Sequence, residues 1–185
     1  MSKAKVVLTD YVWESLDVEE EILGNLANLV PLQVTDPEAF FPEAENCEAL
    51  LNTYGGPITA DIMARMPNCK IIARYGIGVD TIDLAAATEA GIIVTNNPTY
   101  CIEEVAEHTL AMLLTCARKI AFYDRLVRKG EWAVPPGKPM FRLAGSTVGL
   151  IGFGNIARRV ARGAASLDMR VLYSDPFVEA GQFDV

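Results

Sequence analysis

Histidine and cysteine are scarce in this 185-residue sequence, which has one His and four Cys, and that scarcity removes two kinds of site. Cys47, Cys69, Cys101 and Cys116 form no CxxC pair, and His108 is the lone imidazole. Neither a zinc site nor a disulfide framework follows, so the cysteines are expected to be buried thiols and no metal is expected. Basic residues are also outnumbered, 16 Lys+Arg against 24 Asp+Glu, for a formal net charge of −8. Without a long Lys/Arg run there is no basic face to neutralise phosphates, which argues against direct binding of nucleic acid or of an anionic membrane. No stretch of ~18 uninterrupted apolar residues is available to span a bilayer, and MSKAKVVLTD leads into a strand without the apolar region of a signal peptide. A cytoplasmic location is the expectation.

What is present is an ordinary globular composition, 51% hydrophobic and 22% charged, in regular alternation. Short apolar runs at 5–9, 29–34, 49–53, 70–75 and 92–95 read as strands, and 17–27, 59–66 and 82–90 read as helices. The region 37–42, within DPEAFFP, reads as a loop with a short helical turn. Thr59 offers a cap, and Pro67 and Gly91 stop their helices. Strands separated by helical crossovers imply an α/β fold with a parallel sheet covered on both faces.

The most informative stretch is 146–175, STVGLIGFGNIARRVARGAASLDMRVLYSD. Val148, Leu150 and Ile151 suit a buried strand, Gly152-Phe153-Gly154 sits where the strand must turn into a helix, and Ile156, Val160, Ala161, Ala164 and Leu167 give that helix an apolar face. Gly152 permits the turn, Gly154 lets a pyrophosphate approach the amides of the helix N-terminus, and Ala157 takes the third small position. The next strand, 171–174, ends in Asp175, 23 residues after Gly152, at the ~20-residue spacing of a ribose-binding acid. Asp175 also serves as a turn starter before Pro176, and the two roles are compatible. An acid here repels a 2′-phosphate, and no arginine comes after it to bind one, so NAD is favoured over NADP.

A second glycine turn, Gly76-Ile77-Gly78, follows a strand ending at Arg74-Tyr75. Its successive amides can form a nest for a carboxylate or phosphate, with Arg74 adding a charge-assisted contact. The turn can equally be structural, with Asp80 or Thr81 capping the next helix. Beyond it, a helix is expected over 102–128, apolar on nearly all sides through 110–114, hence buried between layers and long enough to bridge two domains. His108, beside Glu104 and Glu107, reads more readily as a structural residue than as a catalytic acid.

RYGIGVDTIDLAAATEAGIIVTNNP, YCIEEVAEHTLAMLL, RLAGSTVGLIGFGNIARRVA and YSDPF, in that order and spacing, resemble the D-isomer-specific 2-hydroxyacid dehydrogenases, which include phosphoglycerate dehydrogenase. The wording YCIEEVAEHT looks closest to the C-terminal-binding-protein-like branch. The resemblance implies a flavodoxin-like substrate domain over 1–100, then a bridging helix and the first half (βαβ) of a Rossmann NAD-binding domain over 101–185. It places a 2-oxo or 2-hydroxy acid on Arg74, Gly76, Ile77 and Gly78. It places NAD on Ile77, Gly152, Phe153, Gly154, Asn155, Ile156 and Asp175. The family's histidine, its glutamate partner and its arginine would lie beyond these residues, so no catalytic residue is assigned, and the chain reads as the N-terminal portion of a longer dehydrogenase, inactive alone. Two strands and one helix should leave Val148, Leu150, Ile151, Val171 and Leu172 uncovered. An exposed 110–114 face would favour self-association, and a homodimer is the expected assembly. An NAD-dependent binding or corepressor-like protein with little turnover is the alternative function.

Overall fold

The computed structural model describes residues 3–179, and the chain divides into two compact units, Met1–Tyr100 and Cys101–Val185. The first runs β1 (Ala4–Leu8), α1 (Asp17–Leu23), β2 (Ala27–Pro31), α2 (Pro37–Ala44), β3 (Ala49–Asn52), α3 (Ala60–Ala64), β4 (Ile71–Arg74), α4 (Leu84–Glu89) and β5 (Ile93–Thr95). Its five strands are all parallel, in the order β2-β1-β3-β4-β5, the flavodoxin-like order. Val6, Val7 and Leu8 are buried in succession, so β1 is covered on both faces. Val7 pairs with Leu50 and Leu50 with Ile72, a fully buried row across the sheet, with Phe40, Ile58 and Met66 in the same core.

Several boundaries differ from the sequence reading. The 37–42 segment belongs to a full helix. Asp36 caps it by accepting from the Glu38 amide at 3.1 Å, Pro37 occupies the first turn where its missing N–H costs nothing, and Pro42 is tolerated inside it while Phe40 and Ala44 are buried in the core. Helix α1 ends at Leu23, and β2 starts at Ala27, which is buried, so the expected helix ran four residues too long and the strand began two too late. Thr59 makes no side-chain cap to α3. The cap of α4 is Asp83, accepting from the Ala86 amide at 2.9 Å, and not Asp80 or Thr81.

The second unit holds α5 (Ile102–Arg118), α6 (Ile120–Arg128), β6 (Thr147–Ile151), α7 (Asn155–Ala165) and β7 (Arg170–Ser174), with β6 and β7 parallel. The single helix expected over 102–128 is two helices. Lys119 takes a left-handed φ of 53°, and its amide closes on the carbonyls of Cys116 and Thr115 while its own carbonyl opens α6 through Phe122 and Tyr123. Nor is α5 buried between layers within this chain. Ala106 is its one buried residue, and Met112 is 56% exposed. Helix α7 packs on α5 through a close approach in which a Cβ at Gly163 would run into Leu110, and Arg159 pairs with Glu103.

Exposure alternates along β6 and β7, as the pleat requires when one face is covered. Val148, Leu150 and Val171 are half-buried, and of the five residues expected to be uncovered only Ile151 (100% exposed) and Leu172 (52%) are. Among the described residues no helix is long and apolar enough to cross a membrane, and no cluster could hold a metal ion. Cys47 and Cys69 are buried, but Cys101 is only half-buried and Cys116 is exposed.

Candidate active site

Parallel strands present all their carboxyl ends at one edge, and in the first unit that edge gathers polar groups from β1, β3, β4 and β5. Asp10 follows β1 and is 4% exposed. Its Oδ1 accepts from the amides of Thr53 (3.2 Å) and Gly55 (3.0 Å) and from the Thr9 hydroxyl (2.7 Å), and its Oδ2 accepts from the amide of Tyr54 (2.7 Å). A buried polar group must be matched in this way, and here the match pins the loop after β3 onto the end of β1. Asn52, fully buried, donates to the Gly55 carbonyl (2.6 Å) and accepts from the Arg74 guanidinium (3.0 Å). Arg74 in turn donates through Nε to the Gly78 carbonyl at 3.1 Å.

These contacts orient the 76–78 turn. The Gly76 carbonyl accepts from the Asn97 amide (2.9 Å), and the Ile77 carbonyl from the Asn96 side chain (2.8 Å). In a trans peptide the carbonyl and the following N–H point to opposite sides. The amides of Ile77 and Gly78 are therefore aimed away from Asn96 and Asn97, and among the described residues they donate to no protein group. Gly76 is buried, Ile77 and Arg74 are half-buried and Gly78 is exposed. The turn is thus both structural and a carrier of unpaired donors. The Asp80 carboxyl lies beside Gly78 as a neighbouring acid.

In the second unit Gly152 has φ +84°, a conformation that side-chain-bearing residues rarely adopt, and its amide donates to the Ser174 carbonyl at 2.8 Å. Gly154 is the N-cap of α7, with open space where a Cβ would stand. Gly154 and Asn155 are exposed and Ile156 is half-buried, and the first-turn amides of such a helix have no partner within it. Phe153 is an anchor. Its ring is fully buried, stacked on Tyr173 with centroids 3.9 Å apart and planes 9° apart, and its carbonyl accepts from Arg158.

Asp175 reaches back to this turn from the end of β7. Its Oδ2 accepts from the Phe153 amide (2.7 Å) and its Oδ1 from the Phe177 amide (2.8 Å). Those two amides, Phe153 first, hold its carboxyl below the usual carboxylate range. The Phe153 amide is thereby committed to Asp175, while the turn start expected at Asp175 takes the form of its bond to Phe177. His108 is exposed on α5.

The sequence reading missed Asp10, Asn52, Thr53, Tyr54, Asn96 and Asn97. The available signal was positional, since polar residues closing apolar runs mark the carboxyl edge of a parallel sheet, where ligands of such sheets gather. The arrangement offers two donor sets of the kind that holds anions. One is a guanidinium and a turn with unpaired amides, and the other is a glycine turn opening a helix beneath an ionised acid.

Comparison with known proteins gives the family. The chain is 44% identical over 163 residues to a hydroxypyruvate reductase of Thermotoga maritima, covering 86% of this chain and 53% of that protein. It is 39% identical over 135 residues to a glyoxylate reductase of Korarchaeum cryptofilum, covering 71% and 40%. Among solved structures it superposes on the D-lactate dehydrogenase from Aquifex aeolicus complexed with NAD and lactic acid with a TM-score of 0.86 at 30% identity, covering 95% of this chain and 52% of that one. The chain thus spans about half the length of these relatives. The family model of the D-isomer specific 2-hydroxyacid dehydrogenase catalytic domain matches residues 6–177, and the chain belongs to that family.

Proposed function

We propose that the whole protein to which these residues belong is an NAD-dependent oxidoreductase, moving a hydride between the nicotinamide and C2 of a D-2-hydroxy acid or its 2-oxo acid. The observation that carries the reading is the ionised Asp175 fixed over the glycine turn that opens α7. The residues there fit a dinucleotide, with open space at Gly154 and first-turn amides that have no intrahelical acceptor. In this reading Gly152 sets the turn, the amides of Gly154, Asn155 and Ile156 hold the pyrophosphate, and Phe153 holds the turn in place. Each Asp175 oxygen keeps a lone pair for a ribose hydroxyl after accepting one amide. A relative of known structure was solved with NAD and lactic acid, which supports the same pairing of ligands here.

The bound nicotinamide supplies the hydride or accepts it. The substrate carboxylate lies on the amides of Ile77 and Gly78 within reach of Arg74, which the Asn52 side chain holds in place. No residue of these 185 is assigned to donate the proton that the C2 oxygen requires. The domain roles match this division, residues 1–100 holding substrate and 101–185 cofactor, in a homodimer located in the cytoplasm. The reading is tested by following NADH absorbance with a panel of 2-oxo acids, using a protein as long as the relatives, alongside NADH binding to the 185-residue chain. Absence of NADH binding to the chain would overturn the cofactor assignment.

A further inference from the structure

A cavity of about 300 Å³ opens beside the 76–78 turn, wholly within the first unit, with Gly76 in its wall. That is the small end of the range for ligand pockets. Its other walls come from Val12, Trp13, Tyr54, Tyr75, Tyr100 and Asn97, and none of its lining residues is charged. Two of the polar tips among them are turned to other work. The Tyr75 hydroxyl donates to Glu19 at 2.9 Å, and the hydroxyl of Thr53, also in the wall, donates to the Asp10 carbonyl at 2.7 Å. Tyr75 and Trp13 pack at a ring distance of 4.9 Å, so the wall offers aromatic rings, with the buried and unpartnered indole N–H of Trp13 as an uncharged donor among them. Arg74, beside the turn, is fastened to Asn52 and to the Gly78 carbonyl.

From this geometry we propose that the cavity receives the C3 substituent of the acid and selects an uncharged apolar or aromatic group there, against a phosphorylated one. The inference rests on the reading that the 76–78 amides and Arg74 hold the acid's carboxylate. A substrate held at that turn has its far end beside the rings of Trp13, Tyr54 and Tyr75. An aromatic or branched C3 group gains from leaving water for such a wall. A phosphate dianion meets no lysine or arginine in it, and a single neutral indole donor does not replace its hydration. The selection therefore separates 2-oxo acids by the charge and bulk at C3.

The test uses the 185-residue chain and two pairs of ligands that differ at C3, phenylpyruvate with pyruvate and 3-phosphoglycerate with glycerate, titrated by ligand-observed NMR. Phenylpyruvate should bind about tenfold or more tighter than pyruvate, the low end of what burial of one aromatic group supplies, and 3-phosphoglycerate more weakly than glycerate. Tyr54, 63% exposed and tied to Asp10 only by its backbone, allows a charge to be added without cutting into the core. Tyr54→Arg should reverse the order of the second pair, 3-phosphoglycerate then binding more tightly than glycerate. If pyruvate binds and phenylpyruvate gains nothing, or 3-phosphoglycerate outbinds glycerate on the unaltered chain, the cavity selects nothing and the proposal falls. If no ligand of the four binds, the carboxylate site fails first and takes the proposal with it.

Discussion

The two parallel sheets of this chain share the same strand-helix-strand pattern and end with opposite degrees of cover. In the first, Val6, Val7 and Leu8 are buried one after another, which only a sheet covered on both faces allows. In the second, residues on one face of β6 and β7 are half-buried and those on the other face are exposed, up to Ile151 at 100%. A βαβ unit fixes its strand pairing and its glycine turn locally, whereas the cover of its second face must come from elsewhere. The geometry of the glycine turn and the stability of the sheet beneath it are therefore separable properties.

The largest expected effect tests that separation. Each large apolar side chain left in water forgoes about 1.5–3 kcal/mol, so Ile151 and Leu172 together amount to about 3–6 kcal/mol. Amides of β6 and β7 in the 185-residue chain should exchange with solvent a hundredfold or more faster than those of β1, β3 and β4. Equal protection in the two sheets, measured by hydrogen exchange on a monodisperse monomer, would remove the comparison.

Next in size is a change confined to the better-covered sheet. Asp10→Ala strips the acceptor from three amides and one hydroxyl at a buried position. Leaving buried donors unmatched costs about 1–3 kcal/mol for a group, so a loss of about 3 kcal/mol or more is expected for the first unit, read as a lowered urea midpoint. The exchange rates of β6 and β7 should not change. A matching loss in both units would mean that the chain unfolds as one body.

How much of this was legible in the sequence depends on the range of the interactions involved. The 152–154 turn was readable because its constraint is local, a positive φ and an open approach that only glycine supplies. Helix α2 was read as a loop with a short helical turn because Asp36-Pro37, a cap followed by a first-turn proline, was passed over. The break at Lys119 carries no residue signal, since lysine has no preference for a left-handed φ and the turn is held by hydrogen bonds to Thr115 and Cys116. The chain of contacts from Asp10 to Arg74 was out of reach for another reason. Its members are 43 and 22 residues apart, and only the strand order β1-β3-β4 makes them neighbours.

Within the first unit, Arg74→Ala sharpens the comparison by asking whether the acid is held there alone. A charge-assisted contact contributes about 1.5–3 kcal/mol, so binding of a 2-oxo acid should weaken about ten- to a hundredfold while NADH affinity is unchanged. Unchanged binding of the acid would reduce the 76–78 turn to a structural feature. A parallel loss of NADH affinity would mean that the two ligands share a site.

The smallest effect belongs to the second unit and concerns which dinucleotide it prefers. The amides of Phe153 and Phe177 favour the ionised form of Asp175, so its folded-state pKa is depressed. A group shifted in that direction contributes stability above its unfolded pKa of about 3.9 and loses it as the pH falls through the lower folded value. Asp175 is therefore fully charged throughout the neutral range and sets no pH dependence there. A 2′-phosphate, by contrast, takes up its second proton with a pKa near 6, by analogy with other phosphate monoesters. Its repulsion by Asp175 should weaken as the pH falls from about 7.5 to about 5.5. NADH should bind more tightly than NADPH, by up to about tenfold at this solvent-screened site, and the ratio should narrow around pH 6. In Asp175→Ala the ratio should be smaller and flat across the same range, because the charge that senses the phosphate is gone. Fluorescence titration of both reduced cofactors against the two proteins reads this out, and a wild-type ratio that rises or stays level as the pH falls would place the discrimination on some group other than Asp175.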